Sequence, residues 1–280
     1  MNHPILITGA GGMVGSSFQT FDNCLLLDKK QLNISDYQTV KSVLKQYSPQ
    51  SIIHLAAMTN VDYCQQHPQE AYQINSIGTQ NLASISASLE IPLIVVSTGA
   101  VFSGRGRTPF TIHDIPNPLS IYARSKLVGE MMASDINPQT TIVRTGWIFG
   151  GLKKDQKFVG MVASAIQSGK RTLKAITTTR GCPTYSKDLA HYLYLLAQNP
   201  TPGIQHVANS GTATRYEMAK VIAHTLNPKV KVFRASEKAF SSFQAPRPRF
   251  EVIQLTKALR PWEEALTEYL TDWKTAIVHK

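Results

Sequence analysis

Residues 4–15 read PILITGAGGMVG, and the fold turns on how they are read. An apolar run of strand type ends at Thr8, and Gly9, Gly12 and Gly15 then recur at every third position. Glycine lets a turn reverse tightly and lets backbone N–H groups approach a pyrophosphate where a helix begins. The stretch GGMVGSSFQTF at 11–21 has the pattern of that helix. A tight packing turn would use the same glycines, so the context decides. CLLLD at 24–28 is a second strand closing on Asp28, placed to hydrogen-bond an adenosine ribose. Gly9, Gly11, Gly12, Met13, Val14, Gly15 and Asp28 are therefore the candidate dinucleotide-binding residues. Asp28 suits the free ribose hydroxyl of NADH, while Lys29 and Lys30 suit the extra phosphate of NADPH, so either cofactor fits.

The alternation continues outward. SDYQTVKSVLKQY (35–47) is a helix opened by a Ser or Asp cap, and SIIHLAA (51–57) a third strand. PQEAYQINSIGTQNLASISASLE (68–90) is one long helix, PLIVVST (92–98) a fourth strand and TTIVRTG (140–146) a fifth. Strands alternating with helices predict an α/β fold of Rossmann type, a doubly wound parallel sheet with ligands along its carboxyl edge. Beyond residue 150 the rhythm loosens, as in a smaller α/β substrate-binding region over 151–280, some of whose segments may return to the first domain at 1–150. Helices are expected in 158–170, 187–199, 214–226 and 261–276, strands in 203–211 and 230–235, and a loop in FQAPRPRF (243–250).

Composition excludes several classes. The net charge of +11 is spread in pairs such as LKKD and LDKK, with no basic stripe interleaved with aromatics, which argues against a nucleic-acid partner. No run approaches the ~18 apolar residues of a membrane span. The amino terminus has no basic region or cleavage site of a leader. Cys24, Cys64 and Cys182 are few, odd in number and far apart, giving neither a disulfide framework nor a metal site; a reducing cytoplasm is expected.

The chemistry-bearing stretch is PNPLSIYARSKLVGEMMA at 116–133. Tyr122 and Lys126 stand at i and i+4, on one helix face. An ammonium there is expected to lower the phenol pKa from about 10 toward working pH, making Tyr122 a proton donor for an alkoxide. Ser97, Thr98 and Gly99 fall at the carboxyl end of the fourth strand, where a hydroxyl can hold a carbonyl oxygen as charge develops on it. Arg180, Arg247 and Arg249 could grip a diphosphate, or simply be solvated. His54, between Ile53 and Leu55, reads as a core histidine, and Cys64 as an ordinary thiol.

Across nearly the whole chain these motifs, with HLAAMTNVDYCQQHPQEAYQINSIGTQNLA, STGAVFSG, YARSKLVGE, RTGWIFG, GCPTYSKDLA and LRPWEEALTEYL, resemble the extended short-chain dehydrogenase/reductases, and within them the dTDP-4-dehydrorhamnose reductases. The resemblance implies a catalytic set of Thr98, Tyr122 and Lys126, and a second cofactor-contacting turn at Ala56, Ala57 and Met58. It also implies adenine contacts at Asn33 and Ile34, support of the proton relay by Asn75, and a sugar-nucleotide contact at Trp147. The chain departs from the family where S-T-D-Y-V-F becomes Ser97-Thr98-Gly99-Ala100-Val101-Phe102 and where Thr179 and Arg180 precede Gly181. It departs again where Phe250 and Glu251 replace small polar residues after Arg-Pro. By the same resemblance, all three changes fall in substrate-facing segments.

The expected function is NAD(P)H-dependent reduction of a nucleotide-linked 4-keto-6-deoxysugar, without a metal, by a chain that is a possible homodimer. The alternatives are a sugar-nucleotide epimerase or dehydratase, which returns its hydride, and a non-catalytic cofactor-binding regulatory subunit.

Overall fold

Seven strands, all parallel, form the central sheet in a computed structural model that describes residues 3–240 and 244–278. They are β1 (Ile5–Thr8), β2 (Cys24–Leu27), β3 (Ser51–His54), β4 (Leu93–Thr98), β5 (Thr140–Thr145), β6 (Gly203–Ser210) and β7 (Lys257–Pro261). Their spatial order is β7-β6-β5-β4-β3-β1-β2. β1, β3 and β5 are buried along their whole length, as strands covered by helices on both faces must be. Because β2 lies on one side of β1 and β3 on the other, the winding reverses between β1 and β3, and a crevice opens beyond their carboxyl ends.

The covering helices are α1 (Tyr37–Tyr47), α2 (Gly78–Ser88), α3 (Ile121–Ile136), α4 (Phe158–Gln167), α5 (Ser186–Gln198), α6 (Arg215–Leu226) and α7 (Trp262–Val278). Asp36 caps α1 by accepting from the N–H groups of Gln38 and Thr39, and Ser120 caps α3 through Ala123 N. One face of the sheet packs on α1, α2 and α3 through Val40, Leu44, Leu82, Val95, Ala133 and Ile142. The other packs on α5 through Ile7, Ile94, Val143, Leu189, Leu193 and Val207. A separate core joins Phe149, Val159, Tyr185, Met218, Trp262 and Tyr269, beneath α4, α6 and α7.

Two expected helices differ in detail. The one after the glycine turn is a 3-10 run, Gly15–Thr20, rather than an α-helix. The turn consumes residues up to Val14, and β2 begins at Cys24. A 3-10 helix rises about 2.0 Å per residue against 1.5 Å for an α-helix, so it covers the crossover with fewer residues while burying Phe18. The long helix at 68–90 is interrupted: Pro68–Tyr72 leads into a π turn at Gln73–Ile77 before α2. The loop expected at 243–250 is described from Gln244 onward, Phe243 lying outside the described residues. No described helix is long and apolar enough to cross a membrane.

The π turn meets α3 at very short range. A Cβ on Gly129 would lie 2.3 Å from the Asn75 carbonyl oxygen, and Ser76 Oγ donates to the Ser125 carbonyl at 2.8 Å. Helix propensity alone would make Gly129→Ala stabilising by up to about 1 kcal/mol. Overpacking costs about 1–3 kcal/mol. A net loss of about 1 kcal/mol is therefore predicted from urea unfolding midpoints, and a gain would show that the two helices part freely.

Candidate functional site

Two turns from the sheet's carboxyl edge meet in the β1/β3 crevice. Gly9 has φ +68°, and a Cβ there would lie 2.7 Å from Ala56 Cα; a Cβ on Gly15 would lie 2.5 Å from Ala10 Cα. Packing thus accounts for these two glycines. It does not account for Gly11 and Gly12, which are exposed and where a Cβ would find nothing nearer than 3.9 and 3.4 Å. Their bare backbone is a cradle of the kind a diphosphate uses. Met13 is partly exposed beside them and Val14 is buried. Asp28 stands next to this cradle: its Oδ1 accepts from the N–H groups of Lys30 (2.8 Å) and Gln31 (3.1 Å), and Lys29 and Lys30 are exposed. Asn33 is exposed in the following turn. Ile34 is buried, its side chain packed against Gly78, where a Cβ would meet Ile34 Cδ1 at 2.7 Å.

A directed hydrogen-bond chain ties this crevice to α3. Thr8 Oγ1 accepts from the N–H groups of Leu55 and Ala56 and donates to His54 Nδ1 at 2.8 Å. His54 Nε2 then donates to Thr79 Oγ1 (3.1 Å), which donates to the Asn75 carbonyl (2.8 Å). Burial holds His54 neutral, with its pKa pushed down to about 3, as a core histidine. The Asn75 side chain accepts from Met58 N (2.8 Å) and donates to Met58 O (3.1 Å) and Ser125 Oγ (3.0 Å). Ser125 Oγ in turn donates to the Tyr122 carbonyl at 2.9 Å. The turn at Ala56, Ala57 and Met58 is thereby locked to the first turn of α3. A π turn at Asn75 presents both its carbonyl and its amide to these partners, a common device at functional sites.

On this frame Thr98 and Tyr122 come together. Thr98 ends β4, and its Oγ1 accepts from Ala100 N at 3.1 Å. Burial pushes the Tyr122 phenol up to about 12; hydrogen bonding to Thr98 works against this, and the charges of Glu251 and Glu130 add to it. The lowering expected from Lys126 is therefore not what the protein alone produces. Lys126 Nζ donates instead to the Val96 carbonyl at 2.8 Å, and burial brings its own pKa down to about 8 against the pull of Glu130. Glu130 is itself held by Arg144, whose Nη2 lies 2.7 Å from Oε2. Ser97 lies across the pleat from Thr98: successive strand residues face opposite sides, and Ser97 stands beside Arg144 in register with its Oγ buried and unpartnered.

Of the remaining candidates, Gly99 packs against Ile253, whose Cγ2 would lie 3.3 Å from a Cβ there. Trp147, at φ +29°, lies over Gly181. Arg180 and Arg247 are half-buried, and both have partners within the protein. Arg180 pairs with Glu217 at 3.2 Å and Thr212 at 3.0 Å, and Arg247 takes both carboxylate oxygens of Asp62 at 2.7 and 3.1 Å. Arg249 is exposed, 3.6 Å from Glu237. Sequence reading missed Arg215, whose guanidinium carbon lies 3.7 Å from the Trp147 ring centroid. The capping box of Thr214 and Glu217 could have placed Arg215 at the head of a helix, but no local signal reveals which ring it meets. Cys64 is buried with its thiol pushed up to about 11, which keeps it inert at neutral pH. Among the described residues no group of three or more His, Cys, Asp or Glu is arranged to hold a metal.

Known proteins share this whole architecture. The chain is 33% identical over 283 residues to the spore coat polysaccharide biosynthesis protein SpsK of Bacillus subtilis, covering 97% of this chain and 98% of that one. It is 31% identical to a dTDP-4-dehydrorhamnose reductase of Mycolicibacterium smegmatis, over 96% of this chain and 85% of that one. The crystal structure of dTDP-4-dehydrorhamnose reductase from Bacillus anthracis in complex with NADP superposes with a TM-score of 0.91 at 30% identity, covering 97% of this chain and 100% of that one. The family model described as RmlD substrate binding domain matches residues 1–279, and the chain belongs to that family.

Proposed function

We propose that this protein reduces the keto group of a nucleotide-linked 4-keto-6-deoxysugar, a precursor class for polysaccharide synthesis, using NADPH or NADH. The observation that carries it is the meeting of the Thr98 hydroxyl and the Tyr122 phenol above a crevice whose exposed Gly11 and Gly12 backbone suits a diphosphate. The dinucleotide, when bound, supplies the hydride. Gly11, Gly12 and Met13 hold its diphosphate and Asp28 its adenosine ribose, while Ala56, Ala57 and Met58 line the second turn.

At the carbonyl end, Thr98 Oγ donates to the substrate oxygen as negative charge develops there. Tyr122 is protonated at every pH below about 12 and so arrives as an acid. It gives its proton to the alkoxide oxygen, a far stronger base than phenolate, and the phenolate that remains is stabilised by the Lys126 charge one turn away. That charge is present below about pH 8 and lost above it. Residues beyond 150, together with Trp147, serve mainly as the sugar-nucleotide site, even though β6, β7 and α5 complete the central sheet. The three free thiols suit a cytoplasmic location.

Two outcomes are expected. Replacing Tyr122 by Phe should lower kcat by about 10²–10⁴, the range for losing a general acid, while the Kd for reduced dinucleotide moves less than threefold. Equal turnover in that variant would remove Tyr122 from the mechanism. Wild-type kcat/KM should be flat through neutral pH and fall along an alkaline limb near pH 8, set by Lys126. No acidic limb should come from His54, which is neutral throughout. A limb at pH 10 or above would show that the Lys126 charge is not depressed as burial demands.

A further inference from the structure

The segment where this chain departs from its relatives after Arg-Pro forms a short strand, Phe250–Glu251. It runs parallel to Arg180–Gly181, with Glu251 opposite Gly181. Gly181 lies directly under Trp147: a Cβ there would be 2.4 Å from Trp147 Cε2. On the other flank, the Glu251 carbonyl lies 3.7 Å from where a Cβ on Gly99 would stand, immediately after Thr98. The strand therefore bridges the Trp147 wall and the Thr98 turn, and Glu251 is the acidic residue it contributes between them.

We propose that Glu251 is a specificity-determining residue, its carboxylate accepting a hydrogen bond from the sugar hydroxyl on the carbon next to the reacting carbonyl. This rests on the reductase function proposed above. An ionised carboxylate has only acceptor sites, about four of them. The Trp147 side chain supplies one donor, and the charges of Arg215 and Arg247 favour the ionised form. Burial outweighs them and raises the Glu251 pKa; protonated or ionised, the carboxyl keeps an oxygen that accepts from a sugar hydroxyl. Its backbone flanks Gly99, immediately after Thr98, which puts the residue on the reacting side of the pocket. A cationic amino sugar would meet the two guanidiniums as well as the carboxylate, whereas a neutral hydroxyl brings a donor without added charge. In a 4-keto-6-deoxysugar the adjacent carbon that bears a hydroxyl is carbon 3. The backbone of Trp147 adds an independent sign of function. A tryptophan held at φ +29° is strained, and such strain persists where surroundings fix a residue for use.

The test compares dTDP-4-keto-6-deoxyglucose with its 3-deoxy counterpart, for wild type, Glu251→Gln and Glu251→Ala, by steady-state kinetics and by titration calorimetry without reduced cofactor. A site built to bond a hydroxyl rejects the analogue lacking it by a large factor, so wild type should favour the 3-hydroxy substrate by about 100-fold or more in kcat/KM. That ratio should fall below about tenfold in Glu251→Ala, through loss of the hydroxylated substrate and not gain of the other. Glu251→Gln, which keeps an acceptor oxygen and nearly the same shape, should fall between. Calorimetric affinities should follow the same order. An unchanged ratio in both variants, with turnover intact, overturns the role of Glu251 and leaves the reductase function standing. Selective binding lost in Glu251→Ala, with no turnover in wild type either alone or with a 3,5-epimerase added, supports the Glu251 contact and overturns the reductase function.

Discussion

The Asn75 side chain is the interaction on which the site depends. It joins the turn after β3 to the helix carrying Tyr122, two segments that share no backbone ladder. With Met58 N–H, Met58 C=O and the Ser125 hydroxyl as partners, its amide has one arrangement that satisfies donors and acceptors together. The chain of bonds from Thr8 through His54 and Thr79 enters at the Asn75 backbone, so the glycine turn of β1 is held by the same residue. Buried networks of this sort are high-stakes: fully satisfied they specify a single geometry, and a missing member strands several polar groups at once. The need for the Gly129 contact follows, since α3 must come close enough for Ser125 to reach Asn75.

Electrostatics on this frame explain why a lysine can be buried there. Lys126, Glu130 and Arg144 are 4%, 3% and 3% exposed, so water screens none of them well. Glu130 lies one turn from Lys126 and is clamped by Arg144, which turns two isolated cations into members of a compensated group. A buried charge without a partner costs several kcal/mol, and this arrangement removes most of that cost. Compensation is incomplete at Lys126, whose charged state remains disfavoured, and at Arg144, whose Nη1 is buried without a hydrogen-bond partner. The protein thus supplies a lysine poised near neutrality beside a phenol that burial keeps protonated.

Much of this was legible in the sequence, for identifiable reasons. The five strands of the first half were readable because buried parallel strands are short aliphatic runs, and the Ser or Asp cap ahead of α1, which is Asp36, because capping is local chemistry. The i, i+4 spacing placed Tyr122 and Lys126 on one face, but it carried no information on burial, and burial sets the direction of both pKa values. The Ser97 and Thr98 hydroxyls looked equivalent in a run of residues and are separated by the pleat. Arg180 and Arg247 read as diphosphate ligands or solvated arginines, and nothing local announces their pairing with Glu217 and Asp62, distant in the chain. Arg215 was invisible for the converse reason: its partner Trp147 is 68 residues away (215 − 147). What sequence conceals here is tertiary pairing and solvation, not local form.

The most direct measurement follows a label. Reduced nicotinamide carrying deuterium at the transferring carbon would be mixed with dTDP-4-keto-6-deoxyglucose, alone and with a 3,5-epimerase, and the product examined by NMR alongside the nicotinamide absorbance. One deuterium at carbon 4 of the sugar for each nicotinamide oxidised is the predicted result. A sugar converted by this protein in the sample lacking the 3,5-epimerase, without net oxidation of the nicotinamide, would contradict it, because the hydride would then have been returned.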